Sequence, residues 1–240
     1  MRENNTKSVY FTCHIPMVGW RLRNLMNVVV LSDFDGTVTT VDTAEWVLTH
    51  FAQGDWKLFE RQFERGEITI NESLTKEFSL VKASKEQILK ELNDVVIFRP
   101  NFKKLAEHCK EKGLSLTIVS AGLDFVIRRF LKLENCLPLV EVCTPKTIFN
   151  AGHISFIFPK THDKSSVNFK QDFVRRCKNQ GIKTVYIGDG QADFPAVRDA
   201  DIPFAIQGSK LAGLCSGHGI PCKEITDFQT VIEVIDEIKS

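Results

Sequence analysis

The stretch Val28–Thr39, reading VVVLSDFDGTVT, constrains the fold more than any other part of the chain. A β-branched apolar run breaks abruptly into Asp33 and Asp35, and a Gly36-Thr37 turn follows. Short uninterrupted apolar runs bounded by turn signals read as strands buried on both faces, which belong to parallel sheets covered by helices. In open α/β sheets, ligands bind just beyond the carboxyl ends of the strands. Two acids one residue apart at such an exit make a poor structural element, and a solvated Asp-rich turn is the plain alternative. They suit a metal ion and a reacting carboxylate.

The rest of the chain supports a parallel sheet. Residues Thr43–Ile97 carry no proline and read as helical, with Gly54 and Gly66 dividing the region. Thr69-Ile70-Asn71-Glu72 and Ser84-Lys85-Glu86-Gln87 both fit a capping box at a helix start. From Phe98 the rhythm becomes alternating helix and strand. Phe102, Leu105, Ala106 and Cys109 mark one helix face, and Leu114–Val119 is an apolar run ending in Ser120-Ala121-Gly122. Val140–Phe158 reads as a β-hairpin turning at Asn150-Ala151-Gly152, and Ser165–Asn179 as a helix. The run Thr184–Ile187 ends in Gly188-Asp189-Gly190, with Asp193 just after. The expected fold is α/β, a Rossmann-like parallel sheet with helices on both faces and a small inserted helical-bundle cap. Residues 27–42 and 98–240 form the expected core and 43–97 the cap.

Composition removes several function classes. The 240 residues carry a net charge of +1, which gives no field for attracting nucleic acid or an anionic membrane. No stretch approaches the ~20 apolar residues a spanning helix needs. The 7 cysteines are odd in number and lack any CxxC pair, a pattern of reduced thiols in a cytoplasmic protein. Met1–Met26 has no unbroken apolar core or small-residue cleavage site, so it reads as a disordered tail or an upstream-start artefact. A monomer or homodimer is expected.

Three strands end in a small or acidic polar group: Asp33 and Asp35, Ser120, and Asp189 with Asp193. In a parallel sheet all three ends share one edge. Clustered carboxylates repel and need a divalent cation to stay ionised together, and magnesium favours such oxygen ligands. One carboxylate can then attack phosphorus while the other moves the proton. Thr37, Ser120 and nearby amides are suited to the peripheral oxygens of a phosphoryl group.

DFDGTVT at Asp33–Thr39, the apolar run into Ser120, a lysine further on, and GDGQAD at Gly188–Asp193 resemble the four ordered motifs of the haloacid dehalogenase superfamily of phosphatases. The resemblance spans about Val28–Ile235. It implies Asp33 as nucleophile and Asp35 as general acid/base, with Thr37, Ser120 and Ala121 at the phosphate. It also implies magnesium held by Asp33, Asp189 and the backbone carbonyl of Asp35, with Asp193 supporting the metal shell. Lys160, Lys164 and Lys170 all lie in the lysine's region, and Lys164 is chosen because the family's lysine starts the helix leading to the last motif. The insert resembles the cap of the phosphoserine-phosphatase-like branch. SAGLDFV at Ser120–Val126 and the hairpin at Phe149–Pro159 are similar to methionine-salvage phosphatases, which act on a phosphorylated diketo or enol sugar derivative. Asp42 stands where phosphoserine enzymes place a glutamate for the substrate amine, so it is either a substrate contact or a helix cap. Arg99, at the return from cap to core, is either a partner for a substrate carboxylate or a surface residue.

The function implied is a magnesium-dependent phosphatase of a small phosphorylated metabolite working through an aspartyl phosphate. The 2-hydroxy-3-keto-5-methylthiopentenyl-1-phosphate kind comes first and the phosphoserine kind is the alternative. A receiver-like phospho-acceptor also combines acids, a hydroxyl and a lysine, but needs neither the second acid nor a cap. A catalytically dead ligand binder is disfavoured because all the expected acids are present.

Overall fold

A computed structural model of the chain describes residues 10–11, 27–150 and 153–238. In chain order, β1 (Tyr10–Phe11) and β2 (Val28–Ser32) precede α1 (Thr43–Phe51), α2 (Lys57–Glu64), α3 (Ile70–Ser79) and α4 (Lys85–Leu92). Then come α5 (Phe102–Glu111), β3 (Ser115–Val119), α6 (Asp124–Leu133), β4 (Glu141–Cys143), β5 (Lys146–Asn150) and β6 (His153–Pro159). The chain continues through α7 (Phe169–Asn179), β7 (Lys183–Gly188), α8 (Phe194–Asp199), β8 (Ile202–Ile206), α9 (Lys210–Gly217), β9 (Lys223–Ile225) and α10 (Gln229–Glu237).

Six of these strands form one parallel sheet in the order β4-β3-β2-β7-β8-β9. The order runs outward from β2 in one direction and from β7 in the other, so the chain reverses its winding between them. That crevice is where doubly wound sheets bind ligands. Strand β2 shows why its sequence is so uniformly apolar. Val28 and Val30 pack into one core cluster, Val29 and Leu31 into the other, and none of the four is more than 1% exposed. Helices α5, α6 and α10 cover the first face, and α7, α8 and α9 the second.

The four helices α1–α4 intervene between β2 and α5. Both expected capping boxes form, at Thr69 with Glu72 and at Ser84 with Gln87. The segments leading to and from these helices run side by side. Thr39 bridges Phe98, Arg99 N donates to Val38 O at 2.7 Å, and Thr40 N donates to Ile97 O at 2.9 Å.

Residues Val140–Phe158, expected as one hairpin, divide into two units. Glu141–Cys143 is the edge strand of the parallel sheet, paired with β3, and only β5 and β6 form the hairpin. Thr144-Pro145 separates them, since proline has no N–H with which to continue a ladder. Ala151 and Gly152, placed in the hairpin turn by the sequence, lie outside the described residues. Tyr10–Phe11, inside the expected tail, instead forms a strand parallel to Phe158–Pro159. An edge strand such as β6 offers free backbone groups for that pairing. The remainder of the tail, residues 1–9 and 12–26, lies outside the described residues.

Candidate active site

Asp33 leaves β2 and Asp189 leaves β7, on the two sides of the crevice, and Asp33 N ties the strands together by donating to Ile187 O at 2.9 Å. Gly36 makes this approach possible. It has φ +68, and a Cβ there would stand 2.2 Å from Asp189 Oδ2. Thr37 is fully buried behind the crevice and donates its hydroxyl to Asp189 Oδ1 at 2.7 Å. Its side chain therefore orients an acid, and it does not line the cavity in which a phosphate was expected to meet it.

The lysine expectation needs correction. Lys164 is exposed in the turn before α7 and lies outside the cavity lining. Lys170 is 2% exposed and donates to Asp33 Oδ2 and Asp193 Oδ1, both at 2.7 Å. The physical reason is where the helix begins. A turn held by Asp163 and Ser165 occupies the expected first residues, and Asn168 caps the helix by accepting from Gln171 N. The lysine in its first turn is consequently Lys170. A signal for it was present: Lys170, Phe173, Val174 and Cys177 recur at i, i+3, i+4 and i+7, placing a lysine at the head of a buried stripe.

Asp193 is fully buried, and its oxygens are fully used. Oδ1 accepts from Lys170 and from the Tyr186 hydroxyl, and Oδ2 accepts from the Asp189 and Gly190 amides. An ionised carboxylate offers about four lone-pair directions, so Asp193 has none left for direct metal ligation. It holds Lys170 and the Gly188–Gly190 turn. Gly188 is required there, because a Cβ would come within 2.6 Å of the Asp193 carboxyl carbon.

Asp35 differs from its neighbours. Oδ1 accepts from Thr43 N at 3.0 Å and from the Thr43 hydroxyl, whereas Oδ2 is buried without a hydrogen-bond partner, and the residue lines the cavity. Burial first, and then the charge of Asp42, hold its carboxyl well above the usual range. A carboxyl of raised proton affinity with an unused oxygen beside a cavity suits a general acid. Gly122 leaves it room, since a Cβ there would lie 2.1 Å from Asp35 Oδ2.

Ser120 and Ala121 border the same cavity, and Ser120 Oγ accepts from Gly122 N at 3.1 Å, which leaves its hydroxyl hydrogen uncommitted. Asp42 caps α1 by accepting from Glu45 N at 2.8 Å, and it also lines the cavity. Arg99, whose role the sequence left open, faces neither substrate nor solvent alone. Its Nε donates to Thr37 O at 2.8 Å and a terminal nitrogen to Gly36 O at 2.7 Å, stapling the turn that carries the acids.

The residues fit a divalent cation. Carboxylate oxygens of Asp33 and Asp189 lie within 4.8 Å of one another, and an oxygen of Asp193, which holds Lys170 and the turn, lies within the same distance of both. Burial and the charge of Asp193 push Asp33 up to about 7 against the pull of Lys170, and burial with the charges of Asp33 and Asp193 pushes Asp189 up to about 8. Lys170 compensates only part of this charge. Burial alone would lower its affinity for a proton, but the charges of Asp193 and Asp33 outweigh burial and raise it. A second cation is what would let Asp33 and Asp189 ionise together. The cavity above them holds about 350 Å³, and the segment from α1 to α3 gives it an apolar wall that includes Leu48, Trp56, Phe63 and Phe78. Among the described residues no helix is long and apolar enough to cross a membrane.

A family model described as haloacid dehalogenase-like hydrolase matches residues 30–198. The chain is 28% identical over 217 residues to a 2-hydroxy-3-keto-5-methylthiopentenyl-1-phosphate phosphatase of Bacillus pumilus, covering 88% of this chain and 92% of that protein. It is also 28% identical over 227 residues to the phosphatase of the same name from Exiguobacterium sibiricum, covering 90% and 98%. Among solved structures, a substrate-bound phosphoserine phosphatase complex superposes with a TM-score of 0.66 at 19% identity, covering 86% of this chain and 97% of that one. At that identity the superposition speaks for the fold.

Proposed function

Because the chain belongs to the haloacid dehalogenase-like hydrolase family, we propose that it hydrolyses the phosphate monoester of a small metabolite through an aspartyl phosphate on Asp33. The observation that carries this reading is the division of labour between two acids one residue apart. Asp33 is oriented by Lys170 and the Phe34 amide, while Asp35, its carboxyl held well above the usual range by burial, has a buried oxygen without a hydrogen-bond partner.

In the first half-reaction the Asp33 carboxylate attacks phosphorus, the bond from phosphorus to the alcohol oxygen breaks, and the Asp35 proton passes to that oxygen. In the second, Asp35 takes a proton from water as it attacks phosphorus, which releases inorganic phosphate and restores Asp33. Ser120, the amide of Ala121 and Lys170 bind the peripheral oxygens and hold them in place as charge shifts. Magnesium would be held by Asp33, Asp189 and the Asp35 backbone carbonyl, where it neutralises charge that Lys170 cannot. The cap excludes water from the reacting group. A cytoplasmic setting is supported by the free thiols of Cys109, Cys136, Cys177, Cys215 and Cys222.

Within this class we assign the substrate to the keto-pentenyl phosphates named for the relatives. The apolar wall of Trp56, Phe63, Leu74 and Phe78 suits a thioether tail better than the small polar head of phosphoserine. The test is phosphate release from p-nitrophenyl phosphate and from 2-hydroxy-3-keto-5-methylthiopentenyl-1-phosphate, with magnesium or with EDTA. Asp33→Asn and EDTA should each abolish turnover, and turnover that survives both would overturn the mechanism. Faster turnover of phosphoserine than of the keto-pentenyl ester would overturn the substrate assignment.

A further inference from the structure

The cap half of the cavity is unusual in charge. Asp42, Glu45, Glu60, Glu64 and Glu77 all line it. Among the described residues, the basic ones in the lining are Lys170 and Lys210, and no arginine is present. Both lysines are already engaged, Lys170 by Asp33 and Asp193 and Lys210 by Glu64. Glu77 is only 7% exposed, and its Oε1 accepts from the Ser73 hydroxyl at 2.6 Å. Burial pushes this carboxyl up to about 7, with the Ser73 bond opposing the rise and the charge of Glu60 adding to it. Glu60 is raised as well, by burial first and then by Glu45 and Glu64. Neighbouring acids with raised proton affinity are what a wall without free cations produces.

We propose that this wall makes the cavity selective for phosphate monoesters whose alcohol portion carries no second anionic group, with Glu77 and Glu60 as the specificity-determining residues. The inference rests on the phosphatase reading above. A carboxylate on the alcohol portion would lose its water on entering the cavity and find no cation to replace it. An unpaired buried charge is strongly unfavourable, whatever the protonation of Glu77, because neither form of a carboxyl supplies positive charge. Hydroxyl, keto, thioether or amine groups meet no such obstacle. Hydroxyl and amine groups find acceptors at Glu60 and Glu77, and a thioether finds an aromatic surface at Trp56 and Phe78.

Two matched pairs of esters test this, each differing by one carboxylate: phenyl phosphate with 4-carboxyphenyl phosphate, and phosphoethanolamine with phosphoserine. In the purified magnesium-loaded protein, kcat/KM for the carboxylate-bearing member of each pair should be lower by about tenfold, the size expected of like-charge juxtaposition. Glu60→Gln and Glu77→Gln should each narrow that ratio by about threefold, because the amide replaces a repelling oxygen with a donor. Glu60 is half-buried, so its variant keeps the test sound should the buried Glu77→Gln fold poorly. A ratio under about threefold in either pair, or one that neither variant alters, overturns the inference while leaving the phosphatase reading intact. Failure to turn over phenyl phosphate or any other ester overturns the phosphatase reading itself, and the inference with it.

Discussion

Lys170 is a buried cation between two buried acids, and such an arrangement is judged by what remains when one member is removed. Replacing an ion pair by apolar groups can be neutral, but deleting one partner leaves an uncompensated charge behind. In EDTA, Lys170→Met should lower unfolding stability in urea by on the order of 3 kcal/mol. With magnesium it should lower kcat by about a hundredfold or more, the scale seen when one donor to a developing charge is lost. Lys164→Ala, at an exposed turn, should stay within about 0.5 kcal/mol of the parent and leave kcat unchanged. Equal effects of the two substitutions would remove Lys170 from the site. Asp193 works at the same scale. Its acceptor directions are filled by the lysine, the tyrosine and two amides, so its contribution is orientation.

At the scale of elements, strand exits were legible and helix starts less so. Asp33, Asp35, Ser120 and Asp189 could be read from the sequence because apolar runs end abruptly, and a parallel sheet sends such ends to one edge. Lys164 stands in a Ser-rich turn that mimics a helix start. The cap that matters is Asn168, further along, and it leaves no sharp compositional mark. Strand β4 was merged into the hairpin because its three residues are too short for a period to show. Arg99 escaped because its partners are backbone carbonyls, which no side-chain pattern reports. Those bonds give Arg99→Ala a defined outcome. The acid-bearing turn loses two of its anchors, so kcat should fall by between about tenfold and a hundredfold, as expected for small misplacement of reacting groups. KM should stay within about twofold, and added guanidinium should restore part of kcat. An unchanged kcat would mean that the turn holds its shape without the arginine.

For the molecule as a whole, the acid cluster couples folding to pH and to metal. Folding raises Asp33 from 3.8 to about 7 and Asp189 from 3.8 to about 8. In that range the metal-free folded chain holds protons that the unfolded chain has already released. Stability therefore falls as pH rises from about 4 to about 8, the opposite of an acid held low by a salt bridge. In EDTA the melting temperature should decline over this interval, and Asp189→Asn should flatten the decline. Magnesium should raise the melting temperature more at the alkaline end, where it no longer competes with protons for the same oxygens. A larger magnesium shift at the acidic end would contradict this linkage.

The cap is joined to the sheet by two adjacent segments, with Thr39 bridging Phe98 and neighbouring residues exchanging backbone hydrogen bonds. Chain ends that lie this close allow an inserted unit to be replaced without rethreading the domain that hosts it. The helices between them nevertheless share a core with the sheet, Leu48 and Phe78 lying in one cluster with Val30 and Phe34, so a unit exchanged at this seam has to bring matching apolar residues with it.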